Sequence, residues 1–173
     1  MRKDAVERKA QLLLRQYGND EIPVDVDLIA KRLKIKVTET ELPDETSGVI
    51  QKVDNGHSTI LANSRHARVR QRFTIAHELG HFLLSTKSGI FVDKKIYFRD
   101  SRSQPASDPE EIVANIFAAE LLMPTPYVKR ELHRLTRGGI IDIEEDIIAL
   151  LANRFEVSMI AMSIKLQNMG LSF

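Results

Sequence analysis

His77 and His81 stand four residues apart, with Glu78 directly after the first histidine, in the run Arg72-Phe-Thr-Ile-Ala-His-Glu-Leu-Gly-His-Phe-Leu-Leu84. If that run is helical, its 3.6-residue turn projects both imidazoles from one face, a single turn apart. Neutral imidazole is a zinc ligand, and a tetrahedral site needs at least one further protein ligand and a water. Glu78 then sits where a carboxylate can take the proton of a metal-activated water. The same residues would also suit two histidines capping or solvating a surface helix.

The surrounding residues place this run in the core. Ile75, Leu79, Phe82 and Leu83 form an apolar stripe at helical spacing, and His77, Gly80, His81 and Leu84 occupy another flank. Gly80 costs a helix about 1 kcal/mol relative to alanine. Its position beside the second histidine implies that another backbone or a substrate comes close there. A third ligand could come from Glu111, which lies in the first turn of a helix opening at Pro109 and is followed four residues later by Asn115. Two readings stand side by side. Ser107-x-x-Glu110 and Asp108-x-x-Glu111 are capping boxes that need no metal. Alternatively, Glu111 completes a His, His, Glu set and Asn115 hydrogen-bonds one of the ligands from behind.

Composition narrows the chemistry. The chain has 173 residues, a formal net charge of +1 and no cysteine. That length suits one domain, alone or with a small appendage, and the near-neutral charge gives no support to a general nucleic-acid binder. Disulfides and thiolate metal sites are excluded, so a metal must be held by histidine and carboxylate. The charged N-terminus lacks the apolar segment of a signal peptide, and no apolar run is long enough to span a bilayer. A soluble, cytoplasmic protein is expected.

The elements that must position the site follow from periodicity. A helix over 3–17 carries Val6, Ala10, Leu13, Leu14 and Tyr17 on one stripe and stops at Gly18; a second, capped by Asp25, runs from Val26 to Lys34. Ile35–Val37 alternates like a short strand. Gly48–Val53 and His57–Ala62 flank Asp54-Asn55-Gly56, a hairpin signal. Asn63 or Ser64 is expected to cap the histidine helix. Residues 86–108 read as a polar loop with one short strand at Ile96–Phe98. Helices are then expected over Pro109–Met123, from Thr125 to the Gly138-Gly139 stop, and as a final pair, Asp142–Asn153 and Ser158–Asn168.

Two long blocks carry a family resemblance. Arg72-Phe-x-x-Ala-His-Glu-Leu-Gly-His is followed by Glu-x-x-Ala-Asn-x-Phe-Ala-Ala-Glu-Leu-Leu-Met-Pro, from Glu111 to Pro124. Together they resemble the ImmA/IrrE family of metallo-endopeptidases. Val24-Asp25-Val26 with Ile29–Leu33, the 48–62 hairpin, and Arg154–Ser158 with Ala161–Leu166 extend the similarity over most of the chain.

The resemblance implies an α+β fold: a mainly helical, gluzincin-like core with a small, mostly antiparallel sheet and a C-terminal helix-turn-helix-like pair. Residues 1–124 would form the peptidase core and 125–173 a helical unit packed on it. It further implies zinc, with manganese as the alternative metal, on His77, His81 and Glu111, and Glu78 as general base. The implied substrate is a co-encoded helix-turn-helix transcriptional repressor, cut at specific sites to relieve repression. Because the chain ends soon after the helical pair, the additional C-terminal sensor domain of some members is expected to be missing.

The remaining machinery is less sharply marked. His57 and Thr59 would contact an extended substrate if the His57–Ala62 strand is the sheet edge beside the metal. Arg70 and Thr74 share the histidine flank and, with Tyr97, His57 and His66, could face a developing oxyanion. Arg65, Arg68, Arg70 and Arg72 crowd a helix start that disfavours cations, which suggests either an acidic partner surface or a solvated face. The last helix offers only Lys165, Gln167 and Asn168 to DNA, so DNA binding by this chain alone is not expected. The main alternative function is a non-catalytic interaction protein, an antirepressor or toxin–antitoxin partner that keeps the peptidase fold.

Overall fold

A computed structural model of the chain describes residues 1–53, 57–85, 89–94, 108–137 and 144–171. Helix α1 (Lys3–Tyr17) buries Val6, Ala10, Leu13 and Leu14, the stripe read from the sequence. Helix α2 (Val26–Arg32) starts at Asp25, whose carboxylate accepts from Leu28 N at 2.8 Å, and buries Val26, Ile29 and Ala30. Strands β1 (Lys36–Thr40), β2 (Thr46–Lys52) and β3 (Thr59–Asn63) follow, and β4 (Gly89–Lys94) completes a four-stranded sheet in the order β1-β3-β2-β4. β2 pairs antiparallel with β3 and with β4, whereas β1 pairs parallel with β3. The fold is therefore α+β, with a small and mostly antiparallel sheet.

The sheet corrects two expectations. β3 is interior, paired from Lys36↔Thr59 to Thr40↔Asn63 on one side and with β2 on the other, so its backbone groups are already committed. It is not the edge beside the histidine helix. The segment expected to be largely loop contains β4, built on Ile90-Phe91-Val92, residues suited to a pleated surface. Ile96–Phe98 and Tyr97 lie outside the described residues.

Helix α3 (Arg68–Leu84) carries both histidines and is buried continuously from Gln71 to His81. It packs on α4 (Pro109–Leu122), on β2 and β3, and near its start on α2. Neither Asn63 nor Ser64 caps it. The N-cap is Ala67, with no side-chain hydrogen bond. Asn63 ends β3 instead, and its amide donates to Leu42 O, Pro43 O and Thr46 O, which ties down the loop between β1 and β2.

The arginines at this helix start find acids within the chain. Arg65 pairs with Glu41 at 3.2 Å and Asp44 at 3.1 Å, and Arg68 with Asp27 at 2.7 Å and Glu39 at 3.1 Å. Arg70 donates to Ser47 Oγ at 2.9 Å. Arg72 is buried, donates to Val24 O at 2.9 Å and lies 3.5 Å from Glu156. Contacts within the chain thus engage all four arginines, and Arg65, Arg68 and Arg70 remain on an exposed face.

Helices α5 (Thr125–Arg137), α6 (Glu144–Phe155) and α7 (Met159–Asn168) complete the chain. α6 and α7 meet at a bend of 108°, in the range of about 90–120° for helix-turn-helix pairs. Ser158 caps α7 by accepting from Ala161 N at 3.1 Å. Lys165 of α7 is not presented to solvent. Its ammonium is buried against Glu120 of α4 and donates to Thr125 Oγ1 at 2.9 Å. Among the described residues no single helix is long and apolar enough to cross a membrane.

Candidate metal centre

One turn of α3 carries His77 and His81 on the flank facing the first turn of α4. Contact between the two helices is close because α3 has Gly80 at the crossing. A Cβ there would fall 3.2 Å from Ala114 Cα and 3.3 Å from Ala114 O and Phe117 Cδ1. The backbone that approaches Gly80 is thus α4, which brings Glu111 and Asn115 over the histidines.

The result is a three-sided cluster. His77 Nε2 lies 3.2 Å from Glu111 Oε2, His81 Nε2 lies 3.1 Å from Glu111 Oε1, and the two Nε2 atoms are 2.9 Å apart. One ligand atom from each residue falls within 4.8 Å of the others. Ligands 2.0–2.1 Å from a tetrahedral zinc stand about 3.3 Å from one another, so an outward shift of a few tenths of an ångström would fit an ion among them. Two imidazoles and a carboxylate also form a donor set that suits zinc.

Electrostatics agree with that assignment. Hydrogen bonds from His77 and His81 hold the Glu111 carboxyl well below the usual carboxylate range, so it is an anion at neutral pH. At the N-terminus of α4, Asp108 takes the capping role by accepting from Glu110 N at 2.9 Å, while the Glu111 carboxylate faces the imidazoles.

Asn115 stands behind the cluster. Its Oδ1 is 3.0 Å from His77 Nδ1. With an ion in place of the Nε2 proton, acceptance by Asn115 would fix the remaining ring proton on Nδ1 and leave the Nε2 lone pair for the metal.

Glu78 is fully buried. β2 approaches it through a residue without a side chain: a Cβ on Gly48 would fall 2.3 Å from Thr74 Cγ2 and 3.2 Å from Glu78 Oε1. Thr74 is itself buried, and its hydroxyl has no hydrogen-bond partner among the described residues. Gly48 pairs with Asp93 of β4, which places that edge strand one strand away from the Glu78 contact.

The other expected contacts are not drawn together. His57 is exposed at the entry to β3, and Thr59 is half-buried on the interior strand. Arg70 is engaged by Ser47, and burial together with the Arg70 charge depresses the His66 pKa. Sequence reasoning missed Gly48, whose role appears only when β2 is laid on α3. It also missed Glu120. A carboxylate flanked by Ala118, Ala119, Leu121 and Leu122 is a signal for a buried partner.

The buried helix pair, the histidines one turn apart and the acid from a second helix fit the metallopeptidase class. A family model described as the IrrE N-terminal-like domain matches residues 30–167. The chain belongs to the ImmA/IrrE family of metallopeptidases. Over 105 residues, 61% of its length, it is 35% identical to the "Radiation response metalloprotease IrrE" of Deinococcus radiodurans and 34% identical to that of Deinococcus deserti. The match spans 29% and 34% of those proteins, about a third of their length. Over 119 residues it is 29% identical to "Uncharacterized immunity region protein 2" of Bacillus phage phi105, covering 69% of this chain and 68% of that protein. Among solved structures, a Mycobacterium tuberculosis transcriptional regulator shares the fold, with a TM-score of 0.51 at 17% identity over 95% of this chain and 46% of that one.

Proposed function

We propose that the chain is a zinc-dependent endopeptidase that cuts a helix-turn-helix transcriptional repressor at specific sites and thereby relieves repression. The observation that carries this reading is the convergence of His77, His81 and Glu111, with Glu78 buried on the same turn of α3. A divalent ion held by those three residues supplies Lewis-acid polarisation of the scissile carbonyl and acidifies a water.

The chain's own residues do the rest. Asn115 orients His77 by accepting its Nδ1 proton, and Glu111 contributes the negative charge that offsets the ion. Glu78 takes the proton from the attacking water as its oxygen bonds to the carbonyl carbon. It then delivers a proton to the departing amine as the C–N bond breaks. Thr74 turns its methyl toward Gly48 and buries its hydroxyl, so it packs behind Glu78 rather than facing a substrate. An extended substrate would pair with β4, the strand that ends the sheet near Gly48, rather than with β3. Similarity to a phage immunity-region protein supports a repressor as the substrate class.

The test is incubation of the zinc-loaded chain with the repressor encoded beside it, using Glu78→Gln as control. Wild-type protein should cleave at one or a few sites, and the variant should keep its metal but lose cleavage. Cleavage that survives Glu78→Gln overturns the mechanism. Tight repressor binding by wild type without any cut favours the non-catalytic antirepressor.

A further inference from the structure

Beside α4 lies a cavity of about 370 Å³, walled also by α1, α5 and α7. That volume lies within the roughly 300–1,000 Å³ of small-molecule sites. Its floor is the buried Lys165–Glu120 pair. Both Glu120 oxygens are saturated: Oε1 accepts from Gln11 Nε2 at 2.7 Å and Thr125 N at 3.0 Å, and Oε2 accepts from Thr125 Oγ1 at 2.9 Å and from Lys165.

The donors lining the cavity are not saturated. Lys165 has three N–H groups and two partners, Glu120 and Thr125. Asn115 uses its carbonyl oxygen on His77, which leaves its amide N–H groups available. Lys129 and Asn168 stand exposed on the rim with no hydrogen-bond or ion-pair partner among the described residues. Three lysines (3, 129 and 165) face two glutamates (7 and 120), so the lining is net positive. Ile116 and Ile164 supply an apolar wall.

We propose that this cavity binds a small organic carboxylate, its anionic head carried on a short apolar body, held by the surplus N–H groups of Lys165, Lys129 and the two asparagines. The amide that would touch the anion belongs to the residue that orients His77. Occupancy is therefore linked to metal affinity, and by linkage each ligand changes the binding of the other by the same factor. Binding itself does not depend on the peptidase reading; only the linkage rests on the metal site proposed above.

The experiment uses the full chain in its metal-free form, titrated with octanoate and followed by two-dimensional NMR, with 1-octanol and inorganic phosphate as comparison probes. Octanoate should saturate with shifts centred on Ile164, Asn168 and Met169, and Lys129→Glu should weaken it about tenfold without altering the rest of the spectrum. No saturation below about 10 mM overturns the proposal. So does equal binding of 1-octanol, or binding of phosphate with none of octanoate. Saturating octanoate should also change zinc affinity about fivefold or more; unchanged zinc affinity overturns the linkage.

Discussion

Gly80 of α3 and Ala114 of α4 are in backbone contact, close enough that a Cβ on Gly80 would fall 3.2 Å from Ala114 Cα. That contact sets how far Glu111 and Asn115 reach over the histidines. Gly80→Ala should gain about 1 kcal/mol of helix propensity yet lose about 1–3 kcal/mol to overpacking. Metal affinity should fall about tenfold or more, because the helix carrying the acid is pushed away while the fold survives. Titration calorimetry with zinc beside urea unfolding checks this; unaltered zinc binding would refute it.

Glu111→Gln removes the anionic donor and should weaken zinc binding more than Asn115→Ala does. For Asn115→Ala a loss of about 10–100-fold is expected, the usual cost of removing the partner that orients a ligating histidine. Competition with a chromophoric chelator ranks the two variants. The reverse order would mean that Glu111 is not a ligand.

The Lys165–Glu120 pair joins α7 to α4 in the interior. Lys165→Met strands a buried carboxylate and should cost about 3–5 kcal/mol. Adding Glu120→Gln should restore part of that loss, since the uncompensated charge is gone. Urea unfolding of the single and double variants measures both effects. A single variant as stable as wild type would show that the pair contributes little.

Tyr127 donates its hydroxyl to Asp20, and burial followed by that hydrogen bond pushes its pKa up to about 12, from 10.0. A raised folded-state pKa gives stability that is fully present below the unfolded value and disappears as pH climbs through the folded one. This contribution should therefore be intact below about pH 10 and lost between about 10 and 12. Tyrosinate absorbance should show a component near the top of that window that Tyr127→Phe removes. If the component persists in the variant, the assignment fails.

Much of the helical architecture could be read before any coordinates, for local reasons. The α1 stripe, the Asp25 cap and the stop at Gly18 each involve residues within one or two turns of one another. The two histidines were legible for the same reason, since four residues bring them together on any helix. The sheet was different. Nothing local tells β3 that β1 will pair with it in parallel, and β4 hid in a polar stretch because Ile90-Phe91-Val92 is short. Glu111 was undecided between capping box and ligand, since the choice depends on α4 crossing α3 at Gly80, a contact over 30 positions apart. The arginine cluster left a choice between a partner surface and a solvated face open because its counterions, among them Asp27 and Glu41, are distant in sequence.

From Gln71 to His81 the histidine helix has no open side: sheet, neighbouring helix and N-terminal elements enclose it. Sequence variation therefore has almost no room on that helix, since nearly any new side chain there displaces a neighbour. Diversification, natural or engineered, must instead work through elements with open faces, such as β4 at the end of the sheet.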